Sequence, residues 1–178
     1  VLKKEALEDG TYDAALDQIV PALNDVLDKT PEERAAMYFN TAEQVFLSGN
    51  YQNAVKLLES YLSNYPEGAG RGEATFYLAE SYKALGNMEK ACAEYAKVPD
   101  LLSEGSYVET SRLNCANINY GRERYADAYV AYLALLDNSR MDASKAAAKT
   151  GMLRSAYRAR DYESAVKAAD AVEGVESD

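Results

Sequence analysis

Three features of this sequence could carry chemistry: two cysteines, two glutamates at a fixed interval, and a run of glycines. Cys92 and Cys115 are the only cysteines, and histidine is absent altogether. Without imidazole there is no Ser-His-Asp or Cys-His catalysis, no ordinary near-neutral general base and no His-containing zinc site. Two thiols alone do not complete a tetrahedral metal shell. Free, buried cysteines acting as small hydrophobes are the simpler expectation; a disulfide becomes possible if the protein is exported.

Glu43 and Glu80 stand 37 residues apart. On neighbouring helices of a repeat array they would lie about 10 Å from one another, given usual helix packing. Inverting glycosidases separate their carboxylates by about 6.5–9.5 Å, so the pair is worth weighing. A negative stripe on a solvated face explains it more economically. The run Gly68-Ala69-Gly70-Arg71-Gly72 follows a helical segment and lacks the Lys-Ser/Thr pair of a phosphate loop. No convergent catalytic set emerges, so the sequence is not expected to be an enzyme, and no metal or cofactor is expected.

The elements that position these residues must be helical. Only 4 prolines and 10 glycines occur in 178 residues, with Ala, Leu, Glu and Lys abundant. A 48% hydrophobic and 27% charged composition is that of a foldable chain. No apolar run approaches the roughly 18 residues of a membrane span, so direct membrane insertion is not expected. The net charge of −10 argues against a nucleic-acid partner. That charge is uneven: residues 1–34 carry nine acidic and four basic side chains, whereas 139–168 carry seven basic and three acidic. Two solvated faces would suffice for this, and a polarised docking surface would use it. No initiator Met, signal segment or lipid-accepting Cys stands near Val1, so the chain is expected to be an excised or mature piece of a longer protein.

Internal periodicity organises everything else. The segments GTYDAA (10–15), GNYQNA (49–54), GNMEKA (86–91), ERYADA (123–128) and RDYESA (160–165) align on Tyr12, Tyr51, Met88, Tyr125 and Tyr162, at spacings of 39, 37, 37 and 37. An alanine follows each anchor by three residues: Ala15, Ala54, Ala91, Ala128 and Ala165. Each unit reads as two helices about a tight turn. Gly49 and Gly86 stand where a left-handed cap ends the first helix, and Asn50 and Asn87 cap the second. Thr30-Pro31-Glu32-Glu33 is a capping box with proline at the first helical position. Small residues let paired helices approach: Ala42 with Ala54, Ala79 with Ala91, Ala116 with Ala128. Leu58, Tyr61, Leu78, Tyr82, Tyr95, Val98, Tyr132 and Leu135 are expected to fill the space between units.

This pattern resembles the tetratricopeptide repeat family, whose unit is a helix-turn-helix of about 34 residues. The resemblance is best at 35–66, closing on Pro66, and at 74–98. It weakens where Glu123 and Arg160 replace the turn glycine and where Leu153 replaces a small residue. The first unit is irregular, with Lys3 at the small-residue place and Pro21 breaking its second helix or starting a short one over 21–29. The resemblance implies an all-α fold, a right-handed α-solenoid of about five units (1–29, 30–68, 69–103, 104–139 and 140–178). The period of 37 and the turn NYPEGAGRGEA are also similar to those of bacterial envelope members. Two such are the lipoprotein of the outer-membrane β-barrel assembly machine and the periplasmic cell-division coordinator that works with the Tol system. A periplasmic or envelope setting follows as an expectation.

In this family the first helices line a concave groove that takes a peptide or a partner protein. Carried over by register, that groove holds Phe39, Glu43 and Phe46, then Phe76, Glu80 and Lys83. Leu113, Asn117 and Tyr120 follow, and Arg154, Tyr157 and Arg158 complete it. Outward-facing aromatics among charges suit such a face. The Lys and Asn of a clamp for chaperone tails are missing, since Phe39 and Glu43 stand there. The alternative is a structural spacer within a larger protein, or a module that self-associates through its uncapped ends.

Overall fold

The computed structural model describes residues 29–173. The irregular first unit, with Lys3, Tyr12, Ala15 and Pro21, lies outside the described residues. Within them stand eight helices in four hairpins: α1 (Pro31–Leu47) with α2 (Tyr51–Asn64), α3 (Arg71–Ala84) with α4 (Met88–Leu101), α5 (Ser106–Gly121) with α6 (Tyr125–Asn138), and α7 (Asp142–Arg158) with α8 (Tyr162–Glu173). The chain folds as an all-α helical-repeat solenoid.

The start of α1 follows from its capping box. Thr30 Oγ1 accepts the Glu33 amide at 3.2 Å while Glu33 Oε2 accepts the Thr30 amide at 2.7 Å. Asn50 and Asn87 cap α2 and α4 by accepting the Asn53 and Lys90 amides. The four hairpin turns share one left-handed residue: Gly49 (φ 78°), Gly86 (φ 79°), Glu123 (φ 61°) and Arg160 (φ 61°). The last three hairpins close it with the same bond, from the amide after the left-handed residue to a carbonyl five residues back: Asn87 to Tyr82, Arg124 to Asn119, Asp161 to Ala156. Tertiary packing holds this geometry even where no glycine is present.

The alanine pairs do what their size suggests. Ala42, Ala54, Ala79, Ala91, Ala116 and Ala128 are all 0% exposed. The fourth hairpin departs from the pattern: Leu153, at the small-residue place, is half-buried, while Gly151 of the same helix makes a close approach in the seam with the third hairpin, where the Tyr132 ring lies over it. Tyr61, Tyr95, Tyr132, Leu58, Val98 and Leu135 are buried between helices as expected. The glycine run is a turn between hairpins, with Gly70 against Phe39 and Gly68 against Tyr61.

Cys92 and Cys115 are joined in a disulfide between α4 and α5, where free thiols were the simpler expectation. Val55 and Leu78 hold the corresponding seam positions one repeat earlier, and Tyr129 and Met152 one repeat later. The bond thus replaces an apolar contact between successive hairpins. Closing a 23-residue separation contributes about 3 kcal/mol on chain-entropy grounds.

First helices touch one another, α1 with α3, α3 with α5 and α5 with α7, while no two second helices are in comparable contact among the described residues. The array therefore curves with the first helices on its inner side.

Two substitutions test this account with opposite signs. A Cβ at Gly151 would sit 2.4 Å from a Tyr132 ring carbon, so Gly151→Ala should lower stability in urea by about 1–2 kcal/mol although alanine is the better helix former. Glu123→Gly should raise it by about 0.5–1 kcal/mol, because a left-handed φ strains any residue with a Cβ.

Candidate docking face

The inner face divides into two halves of different character. Over α1, α3 and the start of α5 it is closed by its own aromatics. Phe46 stacks on Tyr77 with centroids 4.7 Å apart, Phe39 lies 6.3 Å from Tyr77, and Phe76 meets Tyr107 at 4.7 Å. Phe76, expected to face outward, is only 9% exposed; Phe39 and Phe46 are half-buried. Aromatic rings at successive repeat positions satisfy one another when the helices come this close.

The carboxylates of this half are engaged as well. Glu43 accepts the Tyr77 hydroxyl at 3.0 Å, and Tyr77 and Tyr107 share a further hydrogen bond at 2.9 Å. Glu80 accepts from the Tyr95 hydroxyl, from Asn114 Nδ2 at 2.9 Å and from Lys83 Nζ at 2.8 Å. Asn114 also donates to the Tyr95 hydroxyl at 3.0 Å. Side chains from α3, α4 and α5 thus converge on one carboxylate. Glu43 and Glu80 act as internal acceptors, not as a free negative stripe. Burial, and then the hydrogen bond to Glu80, push the Tyr95 phenol well above its ordinary range. Tyr77 is raised by burial and by its bonds to Tyr107 and Glu43, and Tyr82 by burial and its bond to Glu59.

The pairing obeys the repeat. Asn117, one period after Glu80, accepts from Tyr132, one period after Tyr95. Glu43 has Leu58 at the corresponding place, and so turns to the next hairpin for its donor. The sequence places Tyr95 and Tyr132 in the core with a hydroxyl at an edge; it does not reveal Tyr77, Tyr107 and Asn114 as partners. The signal was present in the 15-residue interval shared by Glu80–Tyr95 and Asn117–Tyr132.

Over α5 and α7 the face is open. Leu113 and Tyr120 are half-buried, Asn117, Arg154 and Arg158 are exposed, and Tyr157 is 65% exposed. The Arg154 guanidinium lies 4.9 Å from the Tyr120 ring centroid and beside the Tyr132 hydroxyl. Arg158 lies beside the Tyr120 hydroxyl, near Tyr125 and Glu123. Tyr157 and Tyr162 meet edge-on at 6.2 Å, as Tyr120 and Tyr125 do at 5.4 Å one repeat earlier.

Residues 34–68 and 73–101 match the tetratricopeptide repeat family model. A stretch of 86 residues, 48% of the chain, is 33% identical to the human General transcription factor 3C polypeptide 3, of whose length it spans 10%. Among solved structures, a putative kinesin light chain with nearly identical TPR-like repeats from Podosopora anserina superimposes with a TM-score of 0.62 at 19% identity, over 99% of this chain and 92% of that one. BtubC from P. vanneervenii does so at 0.63 and 17%, over 97% and 76%. At these identities the likeness is one of fold.

Removing the Tyr95 hydroxyl isolates the network from the packing around it. Tyr95→Phe should cost about 1–3 kcal/mol, because Glu80 and Asn114 each lose a partner. Below pH 10 the phenol is protonated in both folded and unfolded chains; above it the unfolded chain loses the proton first, so stability falls as pH rises further. Urea titrations at pH 8 and pH 11 should show a smaller alkaline loss in Tyr95→Phe than in the parent.

Proposed function

We propose, taking residues 34–68 and 73–101 as tetratricopeptide repeats whose register continues through two further hairpins, that the chain is a non-enzymatic scaffold. In this reading it holds a segment of a partner protein against the inner face of α5 and α7. The observation that carries the proposal is the contrast between the two halves of that face. Aromatic and charged side chains of the first half are engaged with one another. Tyr157 and the two arginines beside it remain exposed on a rigid helix, the kind of residue that dominates interface energetics. Phe39, Glu43, Phe46, Phe76, Glu80 and Lys83 then give shape and stiffness to the face. Leu113, Tyr120, Arg154, Tyr157 and Arg158 supply the contact, with Asn117 among them held by the Tyr132 hydroxyl.

The Cys92–Cys115 bond supports an oxidising compartment, such as the envelope, as the setting of this reading.

The scaffold reading is tested by affinity capture from native extracts with the parent chain and with Tyr157→Ala/Arg158→Glu. Both positions are exposed, so the variant should melt within about 2 °C of the parent, as surface substitutions usually do. A protein retained by the parent and lost by the folded variant supports the reading. Identical captures, or none, would sink it in favour of a spacer.

A further inference from the structure

Resting on the inner-face reading, we infer that the open half of that face is built for an extended acidic segment of a partner protein, one with two side-chain carboxylates separated by a single residue. Three observations carry this, beginning with charge. Arg154 and Arg158 project from the same side of α7, and neither forms an ion pair with a carboxylate among the described residues. Arg122, Arg140 and Lys167 are by contrast neutralised locally, by Glu89, Glu104 and Glu163. Lys56, Arg71, Lys90, Arg124 and Arg160 are exposed without an ion pair too, but none of them stands on the inner side of α7 beside a second arginine. Glu123 is the acidic side chain that bears on Arg158.

The second is positioning. The Tyr120 ring supports Arg154 from below at 4.9 Å, and its hydroxyl stands beside Arg158. The Tyr120 ring thus restrains the Arg154 guanidinium, which reduces the entropy lost when it takes a carboxylate in a two-point bond. The third is spacing. Residues four apart on a helix are separated by about 6 Å along its axis. Alternate side chains of an extended peptide are about 6.6–6.8 Å apart on one side. Two carboxylates with one residue between them therefore match the two arginines in register, and Tyr157, 65% exposed, lies within reach of the apolar parts of the segment. The tetratricopeptide clamp for a terminal carboxylate is a different arrangement; here the ligand groups are side chains within a chain.

The test uses fluorescence anisotropy on the full chain with a fluorescein-labelled nonapeptide, blocked at both ends and carrying glutamate–phenylalanine–glutamate at its centre. Replacing both glutamates by glutamine should weaken binding at least tenfold. Arg154→Gln and Arg158→Gln should each do the same, and Lys145→Gln, on the opposite side of α7, should leave it within twofold. Melting curves confirm that each variant is folded. Equal binding of the glutamate and glutamine peptides, or full affinity in Arg154→Gln/Arg158→Gln, overturns the inference. So does binding that appears only when the peptide's terminal carboxylate is unblocked. If the glutamate peptide fails while a captured partner still depends on Tyr157, the acidic assignment falls and the inner-face reading stands. If neither depends on this face, both fall.

Discussion

The constraint on which this structure depends is the close approach of two helices at a residue too small to hold them apart. Ala42 against Ala54, and its equivalents in the next two hairpins, are fully excluded from solvent. That fixes the interhelical distance, and the distance fixes the volume left for larger side chains. Tyr61, Tyr95 and Tyr132 then fit as nearly buried rings. A small residue sets a distance between hairpins as well as within one. Gly151 lets the Tyr132 ring lie against helix backbone, and a single methyl group there would meet ring carbon at 2.4 Å. Small residues here are distance-setting devices, and the aromatic content of the core is their consequence.

From that geometry follows a rule for the inner face. Each first helix presents one polar position toward the groove, occupied by Glu43, Glu80, Asn117 and Arg154 in turn. Fifteen residues later in the second and third of these hairpins stands a tyrosine whose hydroxyl reaches back to that position. The polar residue is then an internal acceptor and contributes rigidity. In the first hairpin Leu58 offers no hydroxyl, and Glu43 takes the donor from Tyr77 of its neighbour. In the last, Ala169 offers nothing, and the Arg154 guanidinium lies instead against Tyr120 and Tyr132 of the preceding hairpin while its side chain stays exposed. Availability for a partner is decided by the residue behind a side chain as much as by the side chain itself.

This explains what was legible in the sequence and what was not. Hairpin boundaries were written in local chemistry: Thr30 with Glu33, Gly49 with Asn50, Gly86 with Asn87. The alanine pairs were written in periodicity. Even the left-handed turns at Glu123 and Arg160, which lack glycine, could be placed by register, because packing overrides the local preference. The groove residues were harder. Register names the side of the helix a residue faces, but not whether an aromatic from the adjacent repeat already lies over it. Phe76 has the right register and is covered by Tyr107. That contact depends on the separation of two helices in different hairpins, which no local pattern encodes. The cysteines posed the same difficulty: their seam positions were readable, the meeting of the two sulfurs was not.

The disulfide bears on how stiff the array is. A solenoid gains its rigidity from contacts between neighbouring units alone, so each seam is a potential hinge. The Cys92–Cys115 bond lies in the seam between the second and third hairpins, on the flank of α5 and not on its inner face. The Glu80 carboxylate, with Tyr95 and Asn114, spans the same seam from the inner side. One seam is therefore held covalently from one side and by a satisfied polar network from the other. Bending there would strain both together. The closed aromatic half and the open arginine half are thereby kept in one orientation. A segment lying along the face would then meet Arg154 and Arg158 at a fixed angle to Tyr77 and Phe46, with little ordering left to be done on binding.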